Sequence, residues 1–270
     1  MYTCAENNKP IAFLDSGVGG ISVLAAAALL LPLESYVYYG DTAHAPYGDR
    51  STDEVRTLSA RVAGELYGRG CKALVVACNT ATSAAINLLR ETLPIPVIGM
   101  EPAIKPAMER NNGGKVLVMA TPLTLKEEKF RSLCNVCGAN SDNVTVLPCP
   151  GLVELVEQGK VSGPEVHRVL TKLFSGVDLS SISTVVLGCT HYFFLRQELA
   201  TMLPPQAEFV DGNSGTVKQL QRVLDQQGLL LTKKEPTDGS VVFFSSAGAQ
   251  AVRFYQELYR YALEHLETNC

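Results

Sequence analysis

The 270 residues are enough to bury a substantial core, as one large domain or two smaller ones, and a composition of 46% hydrophobic and 19% charged residues without a long low-complexity run suits an ordinary globular protein. Twenty-three basic against 27 acidic side chains give a formal net charge of -4 with the basic residues scattered, so nucleic acid is not an expected partner. The start of the chain lacks a basic segment leading into an apolar core, and the most apolar early stretch, residues 21–33, is too short for a bilayer and carries Pro32, so no membrane partner and a cytoplasmic location are expected. Eight cysteines, several of them ending apolar runs, read as reduced thiols rather than a disulfide framework.

In chain order, residues 11–14 form a short apolar strand, the segment Asp15-Ser16-Gly17-Val18-Gly19-Gly20 a tight loop, and the Ala/Leu-rich stretch after it a helix. Residues 37–39 read as the next strand, 40–50 as a loop with Pro and Gly, and 52–67 as a helix. Residues 73–77 are a near-continuous apolar run suited to a strand covered on both sides, and 82–93 have helical spacing, which leaves Cys78 and Asn79 at a strand's C-terminal end.

A brief strand at 97–99 and a helix at 104–110 follow, and a second series then begins with a strand at 115–119, a helix at 125–133, a strand at 144–148, and helices at 152–157 and 165–173. The strand at 184–188 then delivers Cys189. VVACNTA at 75–81 and VVLGCTH at 185–191 share an apolar strand and a cysteine with a threonine nearby, a short match that suggests two related α/β halves without establishing them. The tail reads as a helix near 216–225, a hydrophilic loop at 232–239, a strand at 241–244 and a final helix at 250–266, which can complete the first half and make it discontinuous.

Ligands of open α/β sheets bind beyond the carboxyl ends of the strands, where both Cys78 and Cys189 fall. A thiolate is the reactive form of cysteine and is favoured by helix N-termini and positive groups. Cys78 precedes Asn79-Thr80 and Cys189 precedes Thr190-His191, so each loop offers a base, polar donors and a helix end able to receive an amino-acid carboxylate. Two buried inert thiols would carry the same letters. His191 can orient a carboxylate, assist Cys189 or satisfy a backbone acceptor. Asp15 and Ser16 open a Gly-rich turn whose spacing is neither a dinucleotide fingerprint nor a P-loop; Asp15 can bind an ammonium group, tune a base or cap a helix. Tyr47-Gly48 can cover a small ligand or form an ordinary turn with Pro46. Cys134-Asn135-Val136-Cys137 is half of a metal knuckle without its second half, so no metal site is expected.

Together these segments resemble the aspartate/glutamate racemase family, and within it the glutamate racemases. The matches are FLDSGVGG at 13–20, YGD at 39–41, PYG at 46–48, ACNTA at 77–81, EPA at 101–103 and LGCTHY at 187–192. The resemblance implies two similar three-layer α/β domains with mostly parallel sheets and the active site between them, the first formed by 1–98 and 208–270 and the second by 99–207. It implies interconversion of L- and D-glutamate without a cofactor or metal, supplying D-glutamate for peptidoglycan synthesis, in a homodimer. Catalysis would fall to Cys78 and Cys189, as bases for D- and L-glutamate respectively, assisted by Asp15 and His191, with Glu157 on the second side. Asp15, Ser16, Tyr47, Gly48, Asn79, Thr80, Thr190 and His191 would hold the substrate.

The sequence departs from the commoner family wording at 120–124 and at Phe193-Phe194, which bears on substrate preference more than on reaction type. Other readings remain: a racemase of aspartate or another small acidic amino acid, a Cys/His hydrolase built on Cys189 and His191, and a noncatalytic amino-acid-binding protein.

Overall fold

The structure, a computed structural model, describes residues 7–100, 102–111, 113–136, 138, 142–232 and 240–267. Glu101, Cys137 and most of the hydrophilic loop before the last strand lie outside the described residues.

Among the described residues, nine parallel strands form two sheets. The first has the order β4-β3-β1-β2-β9, with β1 at Ile11–Asp15, β2 at Tyr36–Gly40, β3 at Ala73–Val76, β4 at Val97–Gly99 and β9 at Val241–Ser245. The second has the order β6-β5-β7-β8, with β5 at Lys115–Ala120, β6 at Val144–Pro148, β7 at Ile182–Leu187 and β8 at Glu208–Asp211. Every strand pairing is parallel.

The helices are α1 Ile21–Leu30, α2 Thr52–Gly68, α3 Asn79–Thr92, α4 Ile104–Arg110, α5 Pro122–Lys126, α6 Glu128–Val136, α7 Leu152–Glu157, α8 Pro164–Phe174, α9 Arg196–Met202, α10 Asn213–Gln226 and α11 Ala249–Glu267.

The period of two along the strands divides their side chains between layers. Ile11, Phe13, Tyr36, Tyr38, Ala73 and Val75 join the core with α1 and α11, while Ala12, Leu14, Tyr39, Leu74 and Val76 join the core under α2 and α3. Both faces of the central strands are therefore dry, which is why residues 73–77 show no hydrophobic alternation. In the second sheet Leu117, Met119, Val185 and Leu187 share the first core, so one apolar cluster runs through both halves. Val116, Val118, Val186 and Val210 face the opposite way, toward α4 and α6.

Several local outcomes differ from the periodicity reading. The helix after Cys78 starts at Asn79 rather than near residue 82, because the Cys78 thiol itself caps it by accepting from Ala81 N at 3.4 Å. The expected single helix at 125–133 is two, α5 and α6, with Glu127 extended between them and Thr121 capping the first. The loop at 40–50 contains two short 3-10 turns. β8 pairs with β7 and buries Val210 in the second core, so this strand, which the expected boundary at 207/208 assigns to the first half, belongs to the second sheet. β9 returns to the first sheet beside β2. Among the described residues no helix is long and apolar enough to cross a membrane.

Candidate active site between the two sheets

The C-terminal ends of β1, β3 and β7 converge. Asp15 closes β1, Cys78 follows β3 by two residues, and Cys189 follows β7 by two residues and caps the 3-10 turn Thr190–Leu195. Asp15, Ser16, Tyr47, Cys78, Asn79, Thr80, Cys189, Thr190 and His191 are all buried.

Among the described residues, the leading influences on Cys78 include no cation. Its thiol donates to Ser16 Oγ at 3.7 Å and accepts from Ala81 N. Burial and the negative charge of Asp15 push its pKa up to about 12, against the pull of the Ala81 N–H. Asp15 accepts from Gly17 N at 2.8 Å and from Thr190 Oγ at 3.3 Å, so its carboxyl is shared across both halves. Burial raises its pKa, opposed by the charge on His191.

The Cys189 side is ionic. His191 Nδ1 lies 3.6 Å from Cys189 Sγ, and its Nε2 meets Glu157 Oε1 at 2.6 Å. Burial pulls the imidazole pKa down, but the hydrogen bonds to Cys189 and Glu157 outweigh it and leave the ring well above its ordinary value. Glu157 is held in turn by Val18 N at 2.8 Å and Thr42 Oγ at 3.3 Å.

The Gly-rich loop explains itself here. A methyl on Gly17 would collide with the Glu157 carboxylate, and one on Gly19 with His191 and Thr190. The loop amides serve protein carboxylates, Gly17 N to Asp15 and Val18 N to Glu157, and the glycines allow the two halves to approach.

The remaining residues singled out in the sequence distribute as follows. Both side-chain polar atoms of Asn79 are buried without a hydrogen-bond partner, a donor and acceptor available to a ligand beside Cys78. Tyr47 donates to Asp41 Oδ2 at 2.8 Å, and Asp41 Oδ1 also takes Arg61 at 2.9 Å. Gly48 packs on Thr121 so closely that a side chain there would strike it. Thr80 forms a triangle of hydroxyls with Thr121 and Thr124 of the second half, at 3.0, 3.1 and 2.9 Å.

Thr121 and Thr124 were visible only as a departure in wording, although Thr121 ends a strand before a helix much as Cys78 does. Asp41 lies in the YGD match, whereas Thr42 and Tyr255, whose hydroxyl meets Thr42 Oγ at 2.7 Å, carried no signal, because their proximity depends on how distant segments pack. Cys134 is one of five free cysteines among the described residues, and these contain no cluster of three or more metal-ligating side chains.

Comparison with known proteins gives a consistent result. A glutamate racemase of Clostridium botulinum (strain Langeland / NCTC 10281 / Type F) is 50% identical over 240 residues, covering 89% of this chain and 92% of that protein. The Escherichia coli glutamate racemase, solved with L-glutamate and the activator UDP-MurNAc-ala, has a TM-score of 0.81 at 28% identity, covering 94% of this chain and 95% of that one. The Francisella tularensis glutamate racemase in complex with D-glutamate has a TM-score of 0.78 at 29% identity, covering 96% and 94%. Residues 22–220 match the Asp/Glu/Hydantoin racemase family. With that match across most of its length, and with its two sheets in the arrangement of those structures, the chain belongs to the Asp/Glu/Hydantoin racemase family.

Proposed function

We propose that this amino-acid racemase interconverts L- and D-glutamate by proton transfer between Cys78 and Cys189. The observation that carries the reading is the pair of buried thiols at matching strand ends of the two halves, one beside Asp15 and Ser16 and one beside His191.

In this scheme the Cys189 thiolate, stabilised by the His191 imidazolium, removes the α-proton of L-glutamate and becomes a thiol. The electron pair left on Cα delocalises into the carboxylate, and the Cys78 S–H gives its proton to the opposite face, leaving a Cys78 thiolate. The reverse reaction exchanges the roles. Two groups are needed because one fixed acid/base returns the proton to the face it came from. Asp15 serves the Cys78 side, and Glu157 holds the imidazolium.

Asn79, Thr190 and Ser16 suit the substrate's α-ammonium and carboxylate. The Thr80–Thr121–Thr124 hydroxyls, with Tyr47 and Gly48 beside them, suit the distal carboxylate and support glutamate over an apolar amino acid. The relatives' names support the same substrate. The two sheets suggest two domains with the second crossover after β8. Supply of D-glutamate for peptidoglycan synthesis, a cytoplasmic location and a homodimer follow from the family resemblance.

The test uses cofactor-free protein with L- and D-glutamate separately in deuterated water, following α-deuteration and chirality. Two-way conversion with solvent deuterium at Cα, lost in Cys78→Ser and in Cys189→Ser, is expected. A folded wild-type protein that inverts neither enantiomer overturns the glutamate assignment and directs the same assay to aspartate.

A further inference from the structure

Away from the thiols, a cavity of about 390 Å³ lies between α9, β8 and the C-terminal half of α11. That volume falls in the range of small-molecule sites. Its walls are aromatic: Phe193 from the turn that carries His191, Phe209 from β8, and Tyr261 from α11. Tyr261 stacks on His265 with ring centroids 3.8 Å apart and planes 21° apart, which presents a flat face to the cavity.

One cation lines it. The Arg196 guanidinium stands 5.5 Å from the centroid of Phe209, and among the described residues it has neither a hydrogen bond nor an ion-pair partner. Asp211 responds to its charge but sits beyond ion-pair distance. The other polar groups are occupied. Gln197 Nε2 donates to His265 Nε2 at 3.1 Å, and His265 Nδ1 donates to the Tyr261 carbonyl at 2.8 Å. Among the described residues the lining therefore offers flat apolar walls, the Arg196 guanidinium with free donors and no carboxylate.

The geometry points to a second ligand site here, for a small planar aromatic or heteroaromatic monoanion. Its ring would lie against Phe193, Phe209 and Tyr261, and its anionic group would take the Arg196 fork. The site joins elements of both halves: Arg196 and Phe209 belong with the second sheet, whereas α11 packs on α1 and β9 of the first. It also reaches the chemistry by two routes. Phe193 is two residues from His191, and Tyr261 is six residues, about 9 Å of helix, from Tyr255, whose hydroxyl meets Thr42 and the carbonyl of Gly40. A ligand there binds one arrangement of the two halves better than others and so biases the racemase in proportion to that difference.

The test is calorimetric titration of the full chain with naphthalene-2-carboxylate and with naphthalene-2-methanol, with and without saturating D-glutamate. Wild type is compared with Arg196→Met, which keeps an apolar stem but removes the charge, and Ala200→Trp, which fills the cavity from α9. Retained racemisation shows that each variant is folded.

The expected result is one saturable site, about tenfold tighter for the carboxylate than for the alcohol. That affinity is about tenfold weaker in Arg196→Met, is absent in Ala200→Trp, and persists at saturating D-glutamate, shifted only by the factor that couples the two sites. The proposal is overturned by no saturable binding, by equal affinity for the two probes, by binding that survives both substitutions, or by displacement with D-glutamate. Light scattering in which Ala200→Trp converts a dimer to a monomer also overturns it, since a second copy then covers this face.

Discussion

The two thiols occupy matching places in the two sheets yet lie in opposite electrostatic surroundings. Cys78 has a hydroxyl, a backbone N–H and a buried carboxyl around it, and its pKa is raised to about 12. Cys189 instead faces the His191 imidazole, whose pKa is raised by its hydrogen bonds to Cys189 and Glu157. In the proposed scheme this asymmetry makes the two directions unlike: one sulfur sits beside a buried carboxyl and the other beside an imidazole. Topological equivalence does not make two acid/base groups equivalent; the charges around them decide which holds the proton.

The difference is limited by thermodynamics. Enantiomers in water have equal free energy, so kcat/KM must be the same in both directions, and the asymmetry can appear only in kcat and KM separately. The most damaging test is loss of either sulfur: Cys78→Ser and Cys189→Ser should each reduce racemisation by about 10³-fold or more. Residual deuterium exchange should be confined to D-glutamate in Cys189→Ser and to L-glutamate in Cys78→Ser. Exchange of the same enantiomer in both variants would erase the assignment of faces.

Next in size, His191→Asn should cost about 10²-fold in kcat/KM, equally in both directions. An unchanged kcat/KM would separate the imidazole from the sulfur it faces. Glu157→Gln should cost about tenfold. Because Glu157 helps raise the His191 pKa, its removal lowers that pKa, so the alkaline limb of the kcat profile should move to lower pH. A limb that stays in place would leave Glu157 only a packing role.

The smallest effect concerns stability. Burial raises Asp15 above the ordinary carboxylate range, so the folded state binds a proton more tightly than the unfolded chain does. That contribution is complete below the unfolded pKa and is lost as pH rises through the folded one. Asp15→Asn should therefore raise Tm by roughly 2–4 °C at pH above the folded pKa, with the gain vanishing in acid, while racemisation falls. A Tm that drops would mean that the bonds from Gly17 and Thr190 outweigh the desolvation of the charge.

Most strands and helices were legible because β1, β3, β5 and β7 are dry on both faces and are followed by Gly, Pro or polar breaks. What periodicity could not supply was pairing. β8 carries few apolar letters, and only its contact with β7 places it in the second sheet. The motif residues Asp15, Cys78, Cys189 and His191 stood out because each follows a strand by at most a few residues. Glu157 lies on a helix end where its letters read equally well as surface, and its role depends on a bond from Val18, 139 positions away. Thr121, Thr124 and Tyr255 were hidden for the same reason: local spacing records which face a residue occupies, not which distant segment meets it.

The glycine loop at 17–20 has a consequence for recombining such proteins. Its bare backbone, rooted in the first sheet, is the surface against which the second sheet's Glu157 and His191 are seated. Chimeras joining the first half of one racemase to the second half of another would have to transplant this loop together with both partners as a single cassette. A crossover that separates them would leave the imidazole without its seat.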